Sequence, residues 1–137
     1  MMQFLKRRLL AFRWAGRGVV VLFRTQVHAW IHLLATLLVT AAGWELQISR
    51  SEWMLVILVI GLVWATEAMN TAIESAVDLA SPDRHPLAAQ AKDAAAAAVL
   101  LAAITAALIG AIIFLPRLSA ERTSSHVSDS LHRDQQR

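Results

Sequence analysis

Three long apolar segments dominate the chain, at residues 29–48, 53–80 and 93–115. Each is about as long as a helix needs to be to cross a bilayer, which takes roughly 20 residues. Polar residues at 49–52 separate the first two segments, and a stretch with two prolines at 81–92 separates the second from the third. The pattern therefore predicts three transmembrane helices joined by short turns, with Ser51 as a candidate cap for the second helix.

The two ends of the chain follow different patterns. Residues 1–28 mix basic and apolar side chains at spacings that suit an amphipathic helix lying on the membrane surface. Pro116 is expected to end the third span, and residues 117–137 are polar without periodicity, which predicts a disordered tail. The expected fold is thus all-α and integral to the membrane: a surface helix plus three spans within a domain covering residues 1–116.

Composition supports a membrane protein with one domain. The chain has 137 residues, of which 57% are hydrophobic, and its mean hydropathy is +0.51. That apolar fraction is high for a soluble globular domain. The sequence contains no cysteine, which excludes disulfides and thiolate metal sites.

Charge is distributed unevenly and predicts an orientation. Every Lys, Arg, Asp or Glu side chain before Glu45 is basic. Basic residues beside spans favour the cytoplasmic side, so the N-terminus is expected inside a prokaryotic cytoplasmic membrane and the C-terminus, after three spans, outside. A basic end also suits nucleic acid, but the long apolar spans and the absence of base-reading motifs argue against that partner.

The second span carries polar residues at one helical face. Relative to Glu67, the side chains of Asn70, Glu74 and Asp78 lie at about 300°, 340° and 20°, within a stripe roughly 80° wide. A charged residue at bilayer depth costs at least about 2.5–3.5 kcal/mol, so this stripe must face other helices, a partner subunit or a water-filled site.

The stripe ends beside Lys92 and Asp93 at the start of the third span. Carboxylates near a lysine at a wet boundary suit Mg²⁺ and a polyphosphate. Glu67 lies about 10 Å deeper, where burial would make its carboxylate a better general base. Two other interpretations remain open from the spacing alone: hydrogen-bonding contacts that hold an oligomer together, and a proton or ion path.

The segment from Glu67 to Leu100, EAMNTAIESAVDLASPDRHPLAAQAKDAAAAAVL, resembles the signature region of the small prokaryotic membrane diacylglycerol kinase family. The matching pattern is Glu-x-x-Asn-Thr-Ala-Ile-Glu-x-x-Val-Asp, followed by Ala-Lys-Asp. FRWAGRGV at 12–19 resembles the N-terminal segment of the family, and IHL at 31–33 resembles its undecaprenol kinase branch. The resemblance covers about residues 7–116.

The resemblance implies a homotrimer with shared active sites near the cytoplasmic surface, which transfers the γ-phosphate of MgATP to a lipid alcohol. It matches Glu67 to the catalytic base, Glu74 to a metal ligand, and Asn70 and Asp78 to supporting residues. The residues it places around ATP are Arg7, Trp14, Glu74, Asp83, Arg84, His85, Lys92 and Asp93. Those it places near the lipid are Ala15, Gly18, Trp30 and Ala96.

One departure concerns the metal, and one open question concerns the acceptor. The family commonly has a second metal-binding glutamate where this chain has Gln26, a ligand without charge. The expected acceptor is diacylglycerol, giving phosphatidic acid. Undecaprenol is the alternative, favoured by the Ile-His and Asn-Thr-Ala-Ile-Glu motifs, and a non-catalytic membrane subunit that keeps the fold is a further one.

Overall fold

The computed structural model describes the backbone of residues 2–134 and the side chains of residues 10–119. This part of the chain is helical throughout, apart from short turns. The helices are α1 (Met2–Thr25), α2 (Val27–Glu45), α3 (Arg50–Ala80) and α4 (Pro86–Asp134). Helix α2, helix α3 and residues 86–119 of α4 are long and apolar enough to cross a membrane. The predicted all-α architecture, with three helices able to span a membrane, is confirmed.

Helices α1 and α2 are separated by a single residue, Gln26, two residues earlier than the sequence predicts. Gln26 has an extended backbone (φ −112°, ψ 114°), which breaks the helix without a loop. Two backbone carbonyls at the break accept hydrogen bonds: Leu22 O from the Gln26 N–H at 3.0 Å, and Phe23 O from Trp30 Nε1 at 3.2 Å. The break therefore fixes where the Gln26 side chain points.

The cap of α3 is Ser49 rather than Ser51, so that prediction is wrong. Ser49 Oγ accepts from the Glu52 N–H, and the Glu52 carboxylate accepts from the Ser49 N–H at 2.7 Å. This reciprocal pair is a capping box, which requires Ser and Glu three residues apart. Ser51 has no acidic residue at that spacing, since position 54 is Met54.

Helices α3 and α4 pack closely against each other, around a small core formed by Ile48, Val56 and Ile113. Helix α2 joins them at its end through Gly43, where an added Cβ would lie 3.0 Å from the Trp53 ring. An apolar groove of about 440 Å³ lies between the three helices. His32 lines that groove.

Helix α4 starts earlier than predicted and does not end at Pro116. It begins at Pro86, a first-turn position where proline's missing N–H is harmless. Pro116 lacks the N–H that would bond the Ile112 carbonyl, and the neighbouring carbonyl, Ile113 O, accepts from Arg117 Nη1 at 2.7 Å. The predicted helix end at Pro116 is therefore wrong, and the backbone is helical to Asp134. Residues 135–137 lie outside the described part.

Candidate active site

Four side chains on one face of α3, which we call the α3 polar row, run from the protein interior to its surface. They are Glu67, Asn70, Glu74 and Asp78. Glu67 is 2% exposed and Asn70 is 7% exposed, whereas Glu74 is half-buried and the Asp78 side chain is 66% exposed. The predicted alignment of these residues on one face is thus accompanied by a gradient of burial.

The deep end of the row faces α2. His32 Nε2 lies 3.8 Å from Glu67 Oε2, and the His32 side chain is 16% exposed. Glu67 Oε1 is buried and has no hydrogen-bond partner in the described structure. Buried carboxylate oxygens are normally satisfied, so an open one is a feature that calls for an explanation.

In the middle of the row, Glu74 receives two amide donors. Gln26 Nε2 donates to Glu74 Oε2 at 2.7 Å, and Asn70 Nδ2 donates to Glu74 Oε1 at 3.1 Å. The helix break at Gln26 makes the first contact possible, because it carries residue 26 against α3. Gln26 and Glu74, the two predicted metal ligands, are therefore neighbours.

The oxygen donors around Glu74 fit a hard cation such as Mg²⁺. Within the described residues, no group of three or more His, Cys, Asp or Glu side chains forms a metal cage. The carboxylate of Glu74 is nevertheless flanked by two amides, and Asn70 Oδ1 is buried without a hydrogen-bond partner. Mg²⁺ is often held by only one or two carboxylates, with phosphate oxygens and waters completing its shell. Glu74, Asn70 and Gln26 would be the residues that hold it.

The exposed end of the row opens into a cavity of about 550 Å³ between the end of α3 and the start of α4. Its polar lining residues are Asp78, Ser81, Asp83, Arg84, His85 and Lys92. Lys92 Nζ forms an ion pair with Asp78 Oδ1 across the two helices. His85 Nδ1 also accepts from the Leu87 N–H at 3.2 Å, which helps to start α4.

The structure brings together part of the predicted nucleotide set. Asp83, Arg84, His85 and Lys92 share the cavity, whereas Glu74 lies farther up the row with Gln26. Asp93 is exposed beside Lys92, and Trp14 is 62% exposed on α1. The side chain of Arg7 lies outside the described residues.

The four predicted lipid residues are distributed over three helices. Ala15 and Gly18 are exposed on α1, Trp30 is 58% exposed on α2, and Ala96 is exposed on α4. A Cβ added at Gly18 would meet nothing within 4 Å. Their roles stay predictions.

An aromatic cluster beside Glu67 was missed from the sequence. The Phe23 ring lies 5.3 Å from Trp30 and 5.5 Å from Trp64, centroid to centroid, and thus joins α1, α2 and α3. The sequence does hold a signal for it: Trp64 lies mid-span, not at an interface where tryptophan is enriched. It lies one helical turn before Glu67 and packs against His32.

These features define a helical membrane protein whose interior carboxylate connects through polar side chains to a surface cavity. A sequence profile of the prokaryotic diacylglycerol kinases matches residues 13–114. The chain belongs to this family, and it is therefore a lipid kinase, a phosphotransferase of the membrane.

Curated relatives agree with this assignment. The chain is 43% identical over 114 residues to the undecaprenol kinase of Bacillus subtilis, an alignment that covers 83% of this chain and 93% of the relative. It is 41% identical over 111 residues to a diacylglycerol kinase of Synechocystis, covering 80% of this chain and 63% of the relative. It is 34% identical to the diacylglycerol kinase of Pseudomonas aeruginosa, covering 81% and 90%.

Proposed function

We propose that the protein transfers the γ-phosphate of MgATP to the hydroxyl group of a membrane lipid alcohol. The observation that carries the proposal is the α3 polar row, which links a carboxylate 2% exposed to a cavity open to water. A lipid kinase must bring an alcohol from the bilayer to a nucleotide from the cytosol. The row supplies polar groups along that boundary.

Glu67 is the general base in this proposal. Its Oε1, which has no hydrogen-bond partner in the described structure, takes the proton of the lipid hydroxyl while the hydroxyl oxygen forms a bond to the γ-phosphorus. The bond between that phosphorus and the bridging oxygen breaks, and ADP leaves with the electron pair. A positioned base of this kind typically contributes 10²–10⁴-fold to the rate.

The nucleotide is proposed to occupy the cavity between α3 and α4. Lys92 and Arg84 line it and would neutralise phosphate charge, which is the main requirement of phosphoryl transfer. Before the nucleotide binds, the ion pair with Asp78 holds the Lys92 ammonium at the cavity wall. Asp93, Trp14 and Arg7 are proposed as further ATP contacts on the family resemblance alone.

Glu74 is proposed as the residue that would hold the Mg²⁺ ion that accompanies ATP. When bound, the ion supplies charge neutralisation at the phosphates. Asn70 and Gln26 would turn a carbonyl oxygen toward it, because either amide can present oxygen or nitrogen. In the structure, their NH₂ groups keep the Glu74 carboxylate satisfied.

Undecaprenol is the acceptor that the relatives favour, ahead of the diacylglycerol expected from the family name. The relative that acts on undecaprenol by its name is 43% identical over 93% of its length, above the 34% and 41% of two diacylglycerol kinases. The margin is small, and both lipids present a primary hydroxyl at the membrane surface. Diacylglycerol is therefore kept as the second candidate.

We also propose a homotrimer with the N-terminus in the cytoplasm. Asn70, whose Oδ1 is buried without a hydrogen-bond partner in the described structure, shares a cavity with Ala95 and Ala98 of α4, small residues against which another helix can approach closely. The basic N-terminal segment supports the orientation. It would place the cavity on the cytoplasmic side, where ATP is available.

The test is an assay of the purified protein in mixed micelles with radiolabelled ATP and each of the two lipids. Labelled undecaprenyl phosphate, labelled phosphatidic acid or both would support the kinase, and the ratio of kcat/KM values would name the acceptor. Glu67→Gln is the negative control. A well-folded parent that labels neither lipid in the presence of Mg²⁺ would contradict the proposal.

A further inference from the structure

His32 lies beside the buried carboxylate of Glu67, and the proposed reaction assigns it no role. The two side chains belong to different helices, α2 and α3, with Nε2 and Oε2 3.8 Å apart. This distance is within the range of an ion pair but longer than a hydrogen bond, which needs about 2.7–3.2 Å. A small rotation of either side chain would close the gap.

The surrounding residues hold His32 in place. Trp64 Nε1 donates to Thr36 Oγ1 at 3.2 Å, and Thr36 Oγ1 donates to the His32 carbonyl oxygen at 2.7 Å. The Trp64 ring also meets the imidazole edge to face, at 6.4 Å between centroids and 69° between planes. The Phe23 ring of α1 lies 5.5 Å from the Trp64 ring, centroid to centroid. The imidazole thus contacts Trp64 of α3, and Trp64 is itself held by Thr36 of α2 and Phe23 of α1.

The two oxygens of Glu67 differ in consequence. Oε2 faces the imidazole, whereas Oε1 is buried with no hydrogen-bond partner. A carboxylate with two open oxygens can rotate and present either of them. A carboxylate whose Oε2 accepts a hydrogen bond cannot rotate freely, so it presents only Oε1 to the substrate, in a fixed direction.

We propose that His32 is a positioning residue for the kinase reaction, an inference that rests on the proposed function. Its Nε2–H donates to Glu67 Oε2 when the site closes, which keeps Oε1 aimed at the acceptor hydroxyl. His32 gains and loses no proton in this step: the hydroxyl proton moves to Oε1, as described above. An error of about 1 Å in the position of a catalytic group can cost roughly 100-fold in rate, so such a contact matters.

Three substitutions at position 32 separate this role from simple packing. His32→Gln keeps an N–H donor near the position of Nε2, His32→Asn keeps one only near that of Nδ1, and His32→Leu keeps bulk alone. We expect kcat to fall at least about 10-fold for His32→Leu and His32→Asn, with His32→Gln retaining most of it. KM for ATP should change less than about twofold, since the nucleotide cavity lies elsewhere.

His28→Leu is the matched control. His28 is exposed one turn earlier on α2, and the same change there should leave kcat unchanged. Equal losses for His32→Gln, His32→Asn and His32→Leu, or parental kcat in His32→Leu, would overturn the proposal. Melting temperatures of all variants show whether a loss of rate is a loss of fold.

Two further measurements keep the inference testable if a variant folds poorly or if neither lipid is phosphorylated. In a Glu67→Gln background, His32→Leu should cost no further activity, because its role acts through Glu67. By nitrogen-15 NMR in micelles with MgADP and each lipid alcohol present, the His32 imidazole signals should differ between the parent and Glu67→Gln, and those of His28 should not. An unshifted His32 would rule out the contact whatever the acceptor proves to be, whereas a shifted His32 in a protein inactive on both lipids would count against the proposed function alone.

Discussion

Gln26 donates a 2.7 Å hydrogen bond to Glu74, joining a one-residue break between two helices to the last two turns of a third. A glutamate at position 26 would bring a second negative charge against that carboxylate. Two carboxylates at this distance repel unless a cation or a proton lies between them. The glutamine thus allows the two side chains to pair without a metal, which a glutamate could do only by taking up a proton.

The first prediction is that Gln26→Glu makes the stability of the enzyme depend more strongly on Mg²⁺ and lowers the Mg²⁺ concentration needed for half-maximal rate. The added carboxylate attracts the cation, so half-maximal rate should need several-fold less free Mg²⁺. Without Mg²⁺ the melting temperature should drop relative to the parent, and Mg²⁺ should restore it. Initial rates and thermal melts across a Mg²⁺ titration at saturating ATP measure both.

Gln26→Ala and Glu74→Ala complete the series. We expect Gln26→Ala to lower activity only modestly, because Asn70 still donates to Glu74. Glu74→Ala should abolish nearly all activity, since the only carboxylate of this group is lost. Equal inactivation by both would show that Gln26 is an essential ligand and that our assignment of the metal site is wrong.

The second prediction concerns the base. Glu67→Gln keeps the shape of the side chain but cannot accept the proton, so turnover should fall on the order of 100-fold or more. Folding should survive, because a neutral side chain is easier to bury than a carboxylate. Glu45→Gln, an identical change at an exposed glutamate of α2, is the control and should behave as the parent. Near-parental turnover in Glu67→Gln would reassign the base.

Much of this arrangement follows from the sequence, because helical periodicity is a local property. Spacing alone placed Glu67, Asn70, Glu74 and Asp78 on one face of α3, and the prolines of the 81–92 stretch marked the turn before α4. The contacts between helices did not follow. The approach of Gln26 to Glu74 depends on a one-residue break, and that of His32 to Glu67 on the packing of α2 against α3. Such geometry is set by tertiary structure, which periodicity does not encode.

The third prediction separates the structural and chemical roles of Lys92. Its ion pair with Asp78 is largely exposed, at 37% and 66% for the two side chains. Exposed pairs typically contribute only about 0–1 kcal/mol to stability, so Lys92→Met should melt close to the parent. It should nevertheless lose most activity and raise KM for ATP. The double variant Asp78→Lys with Lys92→Asp restores the attraction between the two side chains but moves the positive charge from α4 to α3. Recovery of activity in this variant would argue that Lys92 has a structural role only.

The fourth prediction is the topology. The chain contains no cysteine, so single cysteines at Ser51 and Ser81 can be labelled without background. In intact cells, an impermeant thiol reagent should label Ser51→Cys, which lies in the first turn of α3, outside. Ser81→Cys, at the end of α3, should react only after the membrane is permeabilised. Labelling of both from the same side would contradict a spanning α3.

The last prediction concerns the end of the molecule opposite the active site. Arg117 Nη2 donates to Glu52 Oε2 at 2.8 Å, while its Nη1 donates to the Ile113 carbonyl next to the gap left by Pro116. Glu52 is also the partner of Ser49 in the capping box, so one carboxylate joins the start of α3 to α4. Arg117→Met should therefore lower the melting temperature by roughly a few degrees.

Activity per folded molecule should stay unchanged in Arg117→Met, because this cluster lies at the far end of α3 from the polar row. The double variant with Glu52→Gln should melt higher than the sum of the single effects predicts, since both changes remove the same contact. Strict additivity would mean that the two side chains act independently. A loss of kcat without a loss of stability would instead connect this end of the membrane span to catalysis.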